Sequence, residues 1–427
     1  MKYFWIFSYN LIGYPILVLI GFIYSLFNAK LREGIRGRLR AIHQLKNYFN
    51  SHDINKEKYW FHAASLGEFY QVKPVMDGLK EVEPDCCIIL SFSSPSGFNN
   101  ARCNVHDLMI YLPFDFPWTI LKAFKIVKPK KLIFASYDIW PNLIWLAERK
   151  KIHTNIFAAR VKDGSQKLKP AFFNFYQNVY RSFSTIYTVS EKDYLRLKTI
   201  RGNFRKPILR SLGNPRYDLV KQSADEFSLL HQKSVLERNN RLIIGSAHSE
   251  DDKILIPAIM GLMKSHPDLN ILYVPHEPSD AVVANIQDQF SKTNFISTLF
   301  QSKANLKLPD QRLIIVGVVG VLSKLYWQSR YTYIGGGFST GIHNVMEPAI
   351  ARLPVIFGPK YHHAHEAEEL IEKGGGFSIE NEHDFLSIMD RLISQPDFYE
   401  KTSSAATDVI HDNLGSSTRI VRGIIRD

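Results

Sequence analysis

The stretch YWFHAASLGEFYQVKPVMDGLKEVEPDCCIILSF, residues 59–92, decides the fold of this chain. It opens on a short apolar run, Tyr59–Ala63, and closes on a second, Cys87–Phe92. Between them Val72, Val75, Met76, Leu79 and Val82 recur at helical spacing, so Gly67–Val82 reads as a helix with one buried face. Strand, helix, strand is the unit of a parallel sheet, because the helix carries the chain back to start the next strand in the same direction. At the turn, Ser65 and Glu68 are spaced S-x-x-E, as in a capping box, which would aim Glu68 at the Ser65 N–H. Glu68 also follows directly on a strand, where open parallel sheets bind ligands. The spacing alone leaves a structural cap and a reactive carboxylate both open.

Outward from this unit the alternation continues. Further strands read at Leu132–Ala135, Ile152–Ala158 and Thr185–Val189. A second series reads at Leu242–Gly245, Asn270–Val274, Leu313–Val316, Thr332–Ile334 and Pro354–Phe357, with helices at Asp251–His266, Ser279–Phe290, Gly320–Ser329, Asn344–Ile350 and Glu366–Lys373. The polar, strand-free span 214–240 reads as the junction. The expected organisation is an anchor at 1–29, a first α/β domain at 30–213, a linker at 214–240, a second α/β domain at 241–405, and a helix at 406–427 free to cross back to the first domain. Two such domains suggest a ligand held in a cleft between them.

From Tyr3 to Asn28 there is no charged side chain, and aromatic residues crowd both ends. A helix through the run is about 36 Å long, against roughly 30 Å of hydrocarbon. Lys30, Arg32, Arg36, Arg38 and Arg40 follow it, with Glu33 opposing. No small-residue cleavage site follows, so the run reads as a retained membrane anchor with the bulk of the chain on the cytoplasmic side. Pro15 and two glycines also allow a helix lying partly in the interface. The formal net charge of +12 fits an anionic partner: nucleic acid, acidic membrane or phosphorylated substrate. Three cysteines, Cys86, Cys87 and Cys103, are too few for a disulfide framework and suit a reducing compartment.

Chemistry belongs at the strand ends. Thr332–Ile334 runs into GGGFSTGIHNVMEPA (335–349), whose glycines let backbone approach a ligand. A helix starting near His343 or Asn344 would offer its N–H groups to a phosphate, with Glu347 one turn in for ribose hydroxyls. The spacing is that of neither the dinucleotide fingerprint nor the P-loop. Pro354–Phe357 runs into GPKYHHAHEAEEL, with Gly358, Pro359, His362, His363, His365 and Glu366. That histidine cluster lacks metal-ligand spacing, so polar contacts to a nucleotide or sugar are expected there and no metal. Ser246 and His248 follow Leu242–Gly245, His276 follows Asn270–Val274, and Asp138, Trp140 and Asn142 follow Leu132–Ala135.

Taken in order, AASLGEF (63–69), SFSSPSGF (91–98), YLPFDFP (111–117), DIWPN (138–142), GNPRYD (213–218), GSAHSEDD (245–252), GGGFSTGIHNVMEPA and GPKYHHAHEAEEL resemble the motifs of the Kdo transferases, glycosyltransferase family 30. These enzymes add 3-deoxy-D-manno-octulosonic acid (Kdo) to the lipid A precursor. The resemblance runs over almost the whole chain. It implies the GT-B fold, two Rossmann-like doubly wound domains, behind a membrane-anchor helix. It implies an inverting transfer at the cytoplasmic face of the inner membrane, from CMP-Kdo to lipid IVA, with no cofactor, no metal and no nucleic-acid partner. The family's general base falls on Glu68. Nucleotide-sugar contacts fall on Gly336, His343, Asn344, Glu347, Gly358, Pro359 and Glu366, joined by Ser246, His248 and His276. The acceptor side takes Ser65, Gly67, Ser96, Gly97, Asp138, Trp140 and Asn142.

The chemistry fits that pattern, since an attacking hydroxyl must lose a proton and a placed carboxylate can take it. The chain departs from the family in three places. Pro275-His276-Glu277 stands where many members have Pro-Arg-His, Gly317–Leu322 stands where they have Asp-x-x-Gly-Glu-Leu, and Ser136-Tyr137-Asp138 keeps one carboxylate of a Glu-x-Glu. Two other readings stay open: a GT-B enzyme using another nucleotide sugar for an envelope lipid, and an inactive membrane-tethered binding protein.

Overall fold

The computed structural model describes residues 2–52, 55–162, 164–228, 234–292 and 295–427. They form two compact units, Met1–Leu219 with Gly415–Asp427, and Val220–Leu414. The 214–240 span, read as a linker, carries a helix at Arg216–Ser228, and the units divide within it.

Among the described residues the first unit holds seven strands: β1 (Lys58–Ala63), β2 (Cys87–Phe92), β3 (Leu108–Tyr111), β4 (Lys131–Ala135), β5 (His153–Ala159), β6 (Thr185–Thr188) and β7 (Ile208–Ser211). They pair in parallel in the order β3-β2-β1-β4-β5-β6-β7. Side chains alternate across this sheet. Tyr59, Phe61 and Ala63 enter the core on one face, with Phe69, Val72, Val75, Met76 and Leu79 of helix Leu66–Val82. Trp60 enters the core on the other, with Ile120, Phe124, Leu143 and Ile144. Both faces are covered, so strand β2 is buried along its length and reads as one apolar run. The C-terminal helix Ser416–Arg426 closes the first of these layers, with Ile420, Val421 and Ile424 in the same core.

The second unit repeats the plan with β8 (Arg241–Ala247), β9 (Asn270–Pro275), β10 (Thr298–Phe300), β11 (Leu313–Val316), β12 (Tyr331–Ile334), β13 (Val355–Phe357) and β14 (Gly376–Ser378), in the order β10-β11-β9-β8-β12-β13-β14. Strands β3, β7, β10 and β14 escape the sequence reading. Each has three or four residues and lies at or near a sheet edge, too short to set up a period. The helix expected over Gly320–Ser329 is a short turn, Leu322–Leu325, continued by a 3-10 turn at Tyr326–Gln328.

Order reverses between β1 and β4 in the first sheet, and between β8 and β12 in the second. Neighbouring crossovers leave to opposite faces at such a point, and the loops there splay into a crevice at the carboxyl ends of the strands. AASLGEF and DIWPN flank the first reversal. GSAHSEDD and the glycine-rich segment flank the second.

The apolar N-terminal run is helical from Lys2 to Ser25, with mean hydropathy 1.9. A π turn at Tyr9–Gly13 interrupts it, and Pro15 starts the helix that follows. One side docks on the first unit. Tyr9 donates to Asp115 at 3.0 Å, Asn10 donates to Asn142 at 2.9 Å, and Trp5 and Ile6 pack on the core. The other side, including Phe7, Leu11, Leu17, Leu19 and Tyr24, is more than half exposed.

Candidate functional site

Glu68 stands in the first turn of helix Leu66–Val82, after β1, and is 6% exposed. Ser65 occupies the N-cap, but its hydroxyl makes no capping bond among the described residues. With Ser65 extended, the Glu68 carboxylate accepts from the Ala64 N–H, one residue earlier than a capping box directs. Burial pushes the Glu68 carboxyl up to about 8, against the pull of the Ala64 N–H. The Asp138 charge adds to the rise and Lys167 opposes it. A Cβ on exposed Gly67 would meet only the Ser65 hydroxyl, at 3.8 Å, among the described residues, so the side of the turn next to Glu68 is open.

Asp138 comes from the other side of the reversal, after β4. Its Oδ2 accepts from Ser93 at 2.7 Å and from Trp140 Nε1 at 3.0 Å, and lies 3.0 Å from His62 Nε2. Burial, the largest single influence, raises its pKa, but the hydrogen bond and charge of His62 together with the hydrogen bonds of Ser93 and Trp140 outweigh it and bring Asp138 down to about 2. Buried His62 lies 3.0 Å from Ser91 through Nδ1, and Ser91 accepts from Trp60 at 2.9 Å. Arg38 lies 4.6 Å over the Trp140 ring. The sequence reading placed Arg38 in a basic belt and left His62 and Ser93 out. For His62 the only local signal was a polar residue among apolar neighbours in a strand.

Other first-unit residues do different work. Asn142, expected on the acceptor side, is buried and clamped, its N–H on Asp115 at 2.9 Å and its amide on Asn10 at 2.8 Å. Asp115 also accepts from the Leu143 N–H at 2.8 Å, so it caps helix Pro141–Arg149. Gly97 lets the second loop approach the first, since a Cβ there would come within 3.1 Å of the Ser65 carbonyl carbon and collide with Phe92. Ser96 is exposed on the same short helix.

In the second unit, Ser246 at the end of β8 has φ 56, as Ser136 after β4 has φ 58. Side chains other than glycine rarely adopt this backbone, and such positions concentrate at functional turns. His248 is the N-cap of helix Ser249–Ser265. Fully buried Asp251 holds the local frame, accepting from the His248 N–H at 2.9 Å, the Gly336 N–H at 2.7 Å and the Tyr333 hydroxyl at 2.8 Å. Gly336, with φ 90, begins a tight turn closed by the Gly341 N–H on its carbonyl at 2.9 Å. Gly358 lies against the backbone of Gly337, and Pro359 follows it.

The helix expected from His343 or Asn344 begins only at Met346 and has five residues. His343 and Asn344 lie in the turn before it, where the Asn344 side-chain Oδ1 accepts from the Met346 N–H at 3.1 Å and its Nδ2 donates to Glu347 at 3.0 Å. Asn344 caps this short helix, and Glu347 in its first turn is engaged by the Asn344 amide. Glu366 is buried in helix His365–Lys373.

The imidazoles that converge are not those of the 362–365 cluster. His362 and His365 pair with Glu368 and Glu369. His363 Nε2 lies 3.2 Å from the Ile342 carbonyl. Instead His248, His276 and His343 meet, with ring centroids 4.2–5.0 Å apart. Burial and the neighbouring imidazoles His276, His248 and His363 hold His343 down to about 4, and burial with His248 lowers His276.

Residues 33–219 match the family model described as 3-deoxy-D-manno-octulosonic-acid transferase (kdotransferase). A 3-deoxy-D-manno-octulosonic acid transferase of Aquifex aeolicus is 27% identical over 358 residues, 82% of this chain and 90% of that protein. One from Haemophilus influenzae is 26% identical over 396 residues, covering 90% and 91%. Among solved structures, a UDP-GlcNAc 2-epimerase from Neisseria meningitidis superposes with a TM-score of 0.62 at 14% identity, over 87% of this chain and 100% of that one. That last likeness is one of fold, two Rossmann-like domains of the GT-B type.

Proposed function

We infer, from a chain that belongs to the Kdo transferases and is therefore a glycosyltransferase, that it moves Kdo from CMP-Kdo to lipid IVA with inversion. The observation that carries this reading is Glu68, a buried carboxylate at the sheet reversal, held by one backbone N–H and raised to about 8. A carboxyl of that basicity is suited to take a proton near neutral pH. In the proposed step an acceptor hydroxyl attacks the anomeric carbon and its proton passes to Glu68. The new C–O bond forms as the bond to the CMP phosphate breaks, and CMP leaves with that electron pair.

Asp138, Trp140 and Arg38 belong to the acceptor side, with Arg38 as the cation for an anionic glycolipid. The donor goes to the second unit, with its phosphate near Ser246, His248 and His343 and the tight turn at Gly336. The helix Lys2–Ser25, with its exposed apolar side and the arginines behind it, supports a place on the cytoplasmic face of the inner membrane.

Mass spectrometry of lipid IVA incubated with the protein and CMP-Kdo tests the reading. The expected product gains one or more Kdo units, and Glu68→Gln lowers the rate roughly 10²–10⁴-fold with the circular dichroism unchanged. Full activity in that variant removes Glu68 from the base role. Because His276 replaces an arginine of the family pattern, parallel titrations with CMP and UDP belong to the same experiment. Preference for UDP would move the reading to another nucleotide sugar.

A further inference from the structure

Three loops of the second unit bring His248, His276 and His343 together, one each from the ends of β8, β9 and β12. One ligand nitrogen from each lies within 4.8 Å of the other two. His248 Nε2 and His343 Nε2 are 2.8 Å apart. Two neutral imidazoles at that distance can share one N–H, but a single N–H···N bond leaves the third ring outside the arrangement.

The backbone fixes all three. The His248 N–H is held by Asp251 at 2.9 Å, the His276 N–H by the Ala247 carbonyl at 2.9 Å, and the His343 N–H by the Gly335 carbonyl at 3.2 Å. Ligands placed by strand ends and tied at the main chain are organised before anything binds. His276 is exposed, so the cluster faces solvent on one side.

We propose that His248, His276 and His343 bind one divalent transition ion of the zinc class, leaving a fourth position open. Three imidazoles and no carboxylate favour zinc, nickel or copper over magnesium or calcium, which take oxygen ligands. Zinc–nitrogen bonds of about 2.0–2.1 Å in a tetrahedral site put ligand nitrogens about 3.3 Å apart. The His248–His343 pair has to open by about half an ångström to reach that spacing, and rotation about χ2 supplies such a shift. The open position would take an oxygen anion, a phosphate or a carboxylate. The proposal does not depend on which sugar the enzyme moves.

The test uses the full-length protein in detergent, stripped with a chelator and dialysed. It is titrated with Zn²⁺ by calorimetry and with Co²⁺ by visible absorption. The expected result is one equivalent of Zn²⁺ and the intense visible bands of tetrahedral Co²⁺. His276→Asn and His343→Asn should each weaken binding roughly tenfold or more, since even outer-shell partners of a metal count for about 10–100-fold. His276 is exposed, so its variant should melt like the metal-free wild type, which separates lost binding from lost fold. A His362→Asn, His365→Asn double variant should bind as the wild type does. The proposal is overturned if the wild type takes up no stoichiometric ion. It is also overturned if binding survives the His276 and His343 substitutions together, or disappears in the His362, His365 variant.

Discussion

At the scale of the residue, the decisive relation is between Glu68 and Asp138. Glu68 sits at about 8 and Asp138 at about 2, so the second is ionised wherever the first titrates. Two consequences have definite signs. In the proposed role Glu68 must be deprotonated to act, so turnover should rise with pH through about 8 and level off above it. Glu68 holds its proton more tightly folded than unfolded, where its pKa is about 4.3. The stability it contributes is present in full below the unfolded value and is lost as pH climbs through about 8. Glu68→Gln should therefore melt higher than the wild type at alkaline pH and gain much less in acid. Asp138→Asn removes a charge that raises Glu68, and should move the rising limb of the pH–rate profile toward acid. A limb that stays in place in Asp138→Asn would show that the two carboxylates do not communicate. The S-x-x-E spacing located Glu68 from sequence, but it aimed the carboxylate at the wrong amide. His62 and Arg38 lie far from Asp138 in the chain, and no local pattern ties them to it.

At the scale of the element, long helices and central strands were legible because their apolar faces repeat several times. Helix Leu66–Val82 repeats its period over four turns and was read to within a residue at its start. The segment after β12 was not legible in the same way. Its glycines signalled a turn, but the His343 N–H is tied back to the Gly335 carbonyl and Asn344 caps Met346, so the residues read as the helix start precede it. Gly336 is the position where this matters for stability. Its φ of 90 excludes ordinary side chains, and a Cβ would come 2.4 Å from the Gly341 carbonyl oxygen. Gly336→Ala should cost about 1–3 kcal/mol, read from the urea midpoint, and should weaken nucleotide binding with it. An unchanged midpoint would mean that the turn is not held as described.

At the scale of the whole molecule, the parallel α/β class and the two-unit plan followed from the alternation, whereas the way the N-terminal helix is held did not. An uncharged run reads as an anchor by composition, and composition says nothing of Tyr9 and Asn10 as polar attachments. The exposed side predicts its own behaviour. Replacing Leu11, Leu19 and Phe27 with Asn removes three apolar residues, each worth about 1.5–3 kcal/mol when fully buried. The variant should float with anionic vesicles at least roughly tenfold less, with unchanged circular dichroism. Undiminished flotation after a salt wash would assign membrane binding elsewhere.

The tie between the N-terminal helix and the Asp115–Asn142 pair reaches further than attachment. Asp115 caps the helix that begins just after Asp138 and Trp140, and Tyr9 and Asn10 supply partners that would otherwise have to come from water. Removing the N-terminal helix would thus uncover the buried Asp115 carboxylate beside the loop that carries Asp138 and Trp140. In a lineage, drift in the leader and drift in DIWPN should be correlated, because a change in one alters the fit of the other.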